Sequence, residues 1–316
     1  MLKRSWFNIL FCCLLICLCF ISCADNTEEI NGEDYVVFTD ALGREVSVKK
    51  NPRRVAALIG SFADVWVNSG GTVCATADDA WDDFGLELDS AINIGKTKDP
   101  SLEKLLSSNP ELVIASASTS ANVEMKDVLE GAGITVAYFN VDNFDDYLYM
   151  LDVCTDITGR KDLYEKNGTE IKKQIDELKS NVSSAEIPDS EKTVLFLRAS
   201  SGYIRAKNSE GTILGEMLKD LGCINIADSD SSLLENLSIE SIIKSDPYRI
   251  FIVEVGENKQ TARDNVSRMM EENPVWYDLQ AVKEGRIYYM DNRLFNLKPN
   301  ARWNEAYETL CKILTE

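Results

Sequence analysis

SLEKLLSSNPELVIAS (residues 101–116) and SIESIIKSDPYRIFIV (residues 238–253) write one pattern twice in the same chain. Ser101 matches Ser238, Glu103 matches Glu240, Ser108 matches Ser245 and Pro110 matches Pro247, each 137 positions further on. In both copies a serine stands where a helix N-cap is favoured and a glutamate lies in the first turn, where the helix dipole stabilises it. A proline stops the helix, and a short apolar run reads as a buried strand.

Outward from these two segments the chain alternates strand and helix. VVFTD, a turn at Ala41-Leu42-Gly43 and EVSVK predict a β-hairpin; Val55 to Ile59 predicts a short buried strand. SFADVWVNSGG predicts a helix, TVCATAD a strand, the first repeat a helix and strand, ANVEMKDVLEGAG a helix and ITVAYFNV a strand. The second half runs KTVLFLRAS (strand), GTILGEMLKDLG (helix), CINIADS (strand), then the second repeat, an interrupted helical stretch, GRIYYMDN (strand) and the amphipathic ARWNEAYETLCKIL. Such alternation predicts an α/β fold with two lobes, each a parallel sheet covered by helices. The lobes are expected at 35–142 and 187–316. A polar, helical linker at 143–186 breaks near Gly159, and its second helix runs from Asp162 to about Ser180. Gly168 weakens that helix by about 1 kcal/mol relative to alanine.

The first residues do not belong to the fold. Lys3 and Arg4, an apolar run from Trp6 to Ile21 and Ser22-Cys23 have the layout of a secretory signal over 1–22. The run is marginal for a membrane span, which needs about 20 apolar residues, so an anchor helix is the competing reading. Phe20-Ile21-Ser22-Cys23 resembles the bacterial lipobox, which would make Cys23 the lipidated N-terminus, although leucine is usual where Phe20 stands. Residues 23–34 are polar and acidic and suit a flexible tether. The expected location is extracytoplasmic, lipid-anchored to the cell membrane.

Five of the nine cysteines lie within the first 23 residues, and the remaining Cys74, Cys154, Cys223 and Cys311 read as small buried hydrophobes. No C-x-x-C occurs after the leader, which argues against a zinc ribbon or thioredoxin motif. The chain has no histidine, which removes His-based triads and imidazole metal sites. A formal charge of −19 makes nucleic acid an unsuitable partner.

FTDALGREVSV followed by NPRRVAAL, then TILGEMLKDLGCINIAD and the two repeats, resembles the substrate-binding proteins of ABC importers for iron complexes, haem and cobalamin. The resemblance runs from about Tyr35 to Leu314. It implies two α/β lobes joined by a long α-helix, with the ligand cleft between lobes and little closure on binding. It implies an ABC permease with its ATPase as partner. It also implies that Glu103 and Glu240 dock onto permease arginines, which is compatible with their first-turn stabilisation. A monomer with no cofactor and no enzymatic activity is expected.

Ligands of parallel α/β sheets sit beyond the carboxyl ends of the strands. That rule selects Ser61, Trp81, Thr97, Lys98 and Ser118 in the first lobe, and Arg198, Tyr203, Arg205, Leu234 and Phe295 in the second. Trp81 reads equally as core. RASSGYIRAKN (residues 198–208) is the most informative, because it gathers Arg198, Arg205 and Lys207 around Tyr203 on an acidic chain. Guanidinium donors suit chelate or carboxylate oxygens, and tyrosine adds a flat face. A ferric siderophore is the leading metal-chelate ligand, with cobalamin and haem as alternatives. A ligand-sensing lipoprotein and a cleft enzyme are the rival classes. Against the enzyme, no G-x-S-x-G, P-loop or G-x-G-x-x-G is present.

Overall fold

Tyr35–Thr39 and Glu45–Lys49 pair as a two-stranded sheet at the head of the described chain. The Asp40 carboxylate closes the turn between them by accepting the Leu42 and Arg44 amides at 3.0 and 3.1 Å, with Gly43 at φ 74°. This computed structural model describes residues 34–256 and 258–316. The expected signal peptide, Cys23 and all of the expected tether but Asp34 lie outside the described residues.

The first lobe is built on a five-stranded parallel sheet in the order Ile92–Asn93, Val73–Thr76, Val55–Ala57, Leu112–Ser116, Thr135–Phe139. Its chain order reverses beside Val55–Ala57, the kind of switch point beyond which crevices open. The second sheet runs Ile204–Ala206, Thr193–Ala199, Arg249–Glu254, Ile287–Met290, with the short Ile224–Asn225 also paired to Thr193–Ala199. Here the fully parallel expectation needs correcting. Ile204–Ala206 is antiparallel, because residues 198–206 turn back on themselves as a hairpin. CINIADS gives only the two-residue strand Ile224–Asn225 and a 3₁₀ turn over Ile226–Asp228.

The duplicated pattern has a duplicated structure. Ser101 and Ser238 are the N-caps of Leu102–Ser107 and Ile239–Ser245, each accepting an amide three residues on at 3.3 Å. Asn109 and Asp246, at matching offsets, leave these helices in left-handed conformations, at φ 46° and 39°. The strands Leu112–Ser116 and Arg249–Glu254 follow.

Alternation along the strands sorts side chains into separate cores. Leu112, Ile114, Val194, Phe196, Phe251 and Val253 belong to one continuous cluster that includes the linker helices and Trp303. Val113 and Ala115 face a second cluster, and Leu195, Leu197, Ile250 and Ile252 a third. One core therefore runs from lobe to lobe through the linker. The linker is Phe144–Thr158, closed by Gly159 at φ 70°, then a helical run from Lys161 to Ser184. Over Glu165–Thr169 that run loosens into a π turn. Gly168 is not merely a weak helix former there: a Cβ on it would meet Leu148 and Leu151 methyls at 3.1 and 3.2 Å. Buried Tyr147 donates to the Asn167 carbonyl at 3.0 Å, giving that segment's backbone a partner.

Candidate functional site

The carboxyl ends of the second sheet carry the densest positive charge of the site. Arg198, in strand Thr193–Ala199, is in register with Arg205 on the returning strand. The turn between them is tied by Ser200, whose Oγ accepts the Gly202 and Tyr203 amides at 3.2 and 3.1 Å. The Arg205 guanidinium sits 5.1 Å from the centre of the exposed Tyr203 ring. Lys207 follows, and burial together with repulsion from Arg198 and Arg205 pushes its ammonium pKa down. Burial also pushes the Arg198 guanidinium down, and its buried Nε has no hydrogen-bond partner among the described residues. Lys298 is pushed down by burial, against attraction from Asp142 and Asp146 and with repulsion from Arg198. Among the described residues, none of these four cations forms an ion pair. Arg263 makes the contrast: it grips Glu254 through two contacts of 2.7 and 3.1 Å and covers the Tyr289 ring.

The first lobe contributes shorter and more neutral loops. Thr97 and Lys98 form the tip of a small hairpin, Gly95–Lys96 with Asp99–Pro100. Ser118 is exposed, its Oγ 3.0 Å from that of Ser116. Trp81 is half-buried against the continuous core, so packing accounts for most of its ring. The Asp79 carboxylate accepts the Gly60 amide at 2.9 Å, and burial with nearby Asp83 and Asp78 pushes it up to about 6.

Two expected ligand contacts are engaged elsewhere. Phe295 is 1% exposed and belongs to the core. Ser61 is buried, and its carbonyl accepts Asn300 Nδ2 at 2.8 Å. Leu234 is exposed on Ser231–Asn236, a helix that packs beside the strand Ile204–Ala206 and so keeps company with the arginine hairpin. Glu103 and Glu240 are exposed on their two helices and form no ion pair among the described residues.

A cross-lobe cluster was absent from the expected site. Asp64, on helix Gly60–Asn68, accepts Arg293 Nη2 at 3.0 Å and Asn300 Nδ2 at 2.8 Å. Arg293 also covers the Phe84 ring at 3.9 Å and donates to the Lys298 carbonyl. The left-handed φ of 56° at Asn300 explains why asparagine stands there, but nothing local announces its partners.

Two α/β lobes share one core and carry charged loops at their strand ends. Residues 55–294 match the family described as periplasmic binding protein. The chain belongs to that family. Members of this kind serve ABC importers as substrate-binding proteins, and the chain is similar to two curated proteins and one solved structure. The Fe(3+)-citrate-binding protein YfmC of Bacillus subtilis is 29% identical over 90% of this chain and 87% of its own. The uncharacterized ABC transporter substrate-binding lipoprotein YvrC of the same organism is 24% identical over 88% and 84%. The solved catecholate-siderophore binding protein VctP of Vibrio cholerae superposes with a TM-score of 0.69 at 15% identity, covering 89% of this chain and 99% of VctP. No helix among the described residues is long and apolar enough to cross a membrane. Nor do three or more Cys, Asp or Glu side chains gather among them as a metal-ion cage.

Proposed function

We propose that this periplasmic binding protein captures a negatively charged ferric chelate in its cleft and hands it to an ABC permease. The observation that carries the reading is the group Arg198, Arg205 and Lys207 at the strand ends of an acidic chain, which form no ion pair among the described residues. Arg198 and Lys207, held partly out of water without a carboxylate, gain most from a ligand that brings negative oxygens, and the exposed Arg205 adds its charge beside them. Iron arrives inside its chelate, so the protein has no need to supply metal ligands. The name of YfmC, a ferric citrate binder, favours carboxylate chelates as the first to test. Tyr203, Leu234, Thr97, Lys98 and Ser118 are proposed to complete the contacts, with Trp81 at the margin.

Cys23 is proposed as the lipidated anchor at the head of a tether over 23–34, and the protein as a monomer outside the cytoplasm. Glu103 and Glu240, one on each lobe, are proposed to meet basic residues of the permease. Glu103→Arg with Glu240→Arg should abolish uptake and leave chelate affinity unchanged; normal uptake in that variant rejects the docking role.

A thermal-shift panel of ferric citrate, a catecholate ferric siderophore, haem and cobalamin tests the ligand. A ligand at 100 times its Kd adds about 2.7 kcal/mol of stability. A shift with a ferric chelate supports the reading. A shift with haem or cobalamin alone replaces it with the corresponding transport role.

A further inference from the structure

Leu106 and Ile243 stand 137 positions apart, the same offset that relates Glu103 to Glu240. Both are large apolar side chains left open to solvent, 37% and 39% exposed. Scattered exposed hydrophobics are ordinary and require no explanation. These two differ because, among the described residues, they alone of the large exposed hydrophobics are separated by 137 positions.

The helices show why the exposure is not forced by packing. In Leu102–Ser107 the residue turned fully inward is Leu105, and in Ile239–Ser245 it is Ile242, its match at the same offset. Leu102 and Ile239, also matched, pack at the margins of their lobes' outer cores. Each short helix is thus anchored without its outward apolar residue. Leu106 and Ile243 lie three positions after the glutamates, the spacing that makes helical neighbours. Each lobe therefore presents an unpaired carboxylate with an apolar side chain next to it, on the same helix, at the same place in the repeat.

We infer that Leu106 and Ile243 are the apolar halves of two matched docking patches, whose occupant is a membrane permease built from two like halves. Each half would present a basic residue beside a shallow apolar pocket. The inference rests on the docking role proposed for Glu103 and Glu240. It adds that charge alone does not hold the complex, since an exposed ion pair contributes little and well-packed, desolvated contacts carry most of an interface's energy. Two lobes presenting the same pair of groups fit two like sites and not one continuous surface.

The test uses the full chain in its own host, with a photoreactive residue at Lys104, a position next to the first patch but outside both pairs. The expected product is a crosslink to a polytopic ABC permease subunit, identified by mass spectrometry. Leu106→Ala with Ile243→Ala should lower its yield by about tenfold, equivalent to about 1.4 kcal/mol shared between the two contacts. Melting temperature should stay unchanged, because neither side chain is buried. Glu103→Arg with Glu240→Arg should also abolish the crosslink. A yield lost in the charge variant and unchanged in the alanine variant overturns the apolar inference and leaves the docking role standing. A permease crosslink indifferent to both variants, or none in the unaltered chain, overturns both. A crosslink to a second copy of this chain overturns the inference by giving the patch to self-association.

Discussion

Asp64 and Arg293 lie 229 positions apart in sequence, yet their carboxylate and guanidinium meet at 3.0 Å across the two lobes. Both are largely buried, and Asn300 and Asn68 donate to the same carboxylate at 2.8 Å each. Burial still pushes the Asp64 pKa up against these partners. Removing one member of a buried pair strands the other, at about 3–5 kcal/mol. Arg293→Ala is therefore expected to lower stability by that order in urea unfolding. Arg293→Lys should fall well short of restoring it, because an ammonium cannot both stack on Phe84 and reach Asp64 with a planar fork. Unchanged stability in Arg293→Ala would show that the contact does not hold the lobes.

Asp79 gives the protein a pH dependence with a definite sign. Its carboxyl is pushed up to about 6 by burial, with Asp83 and Asp78 adding to the shift. The folded state therefore keeps this proton better than the unfolded chain, and stability falls as pH rises from about 4 to 6. Asp79→Asn retains an acceptor for the Gly60 amide. It should raise stability at pH 7.5 by about 1–3 kcal/mol and have no such benefit below pH 4. Melting curves across this range check it; equal gains at both ends would contradict the assignment.

Gly60 sits where the first cleft loop meets the turn that carries Asp79. A Cβ on it would lie 2.4 Å from the Ala80 nitrogen and 2.7 Å from the Asp79 carbonyl carbon. Both obstacles are backbone and cannot rotate away. Gly60→Ala is expected to cost about 2–3 kcal/mol, measured by urea unfolding. A loss below about 0.5 kcal/mol, the scale of a surface substitution, would mean that this close approach is not present in solution.

Arg198 should show stability and binding moving in opposite directions. Its buried Nε has no partner, and the charge has no carboxylate near it among the described residues. Arg198→Met keeps much of the apolar stem and removes the stranded donor. The ligand-free protein should gain about 1 kcal/mol, read by melting, while affinity for ferric citrate falls about tenfold or more. A destabilised variant with undiminished affinity would assign Arg198 to the scaffold.

The repeat made the two-lobe architecture legible, because serine caps, first-turn glutamates and proline stops are local signals that survive in any context. The strand ends likewise followed from the parallel arrangement. The arginine hairpin was less legible. In the turn Ser200-Ser201-Gly202 the Ser200 hydroxyl accepts the Gly202 and Tyr203 amides between two paired strands, and the pairing of those strands has no local sequence signal. Phe295 was selected by its place after a strand, but the shared core drew its ring inward. The contacts of Asp64 with Arg293 and Asn300 span more than two hundred positions and leave no periodic or compositional trace. They arise from how the lobes meet, which a pattern within either half does not encode.

The most direct test is a calorimetric titration of residues 24–316 with ferric citrate, a catecholate ferric siderophore, haem and cobalamin at low and high salt. The account predicts saturable binding of an anionic ferric chelate, weakened by salt and by Arg198→Met. Binding of cobalamin alone, insensitive to salt and to Arg198, would contradict it.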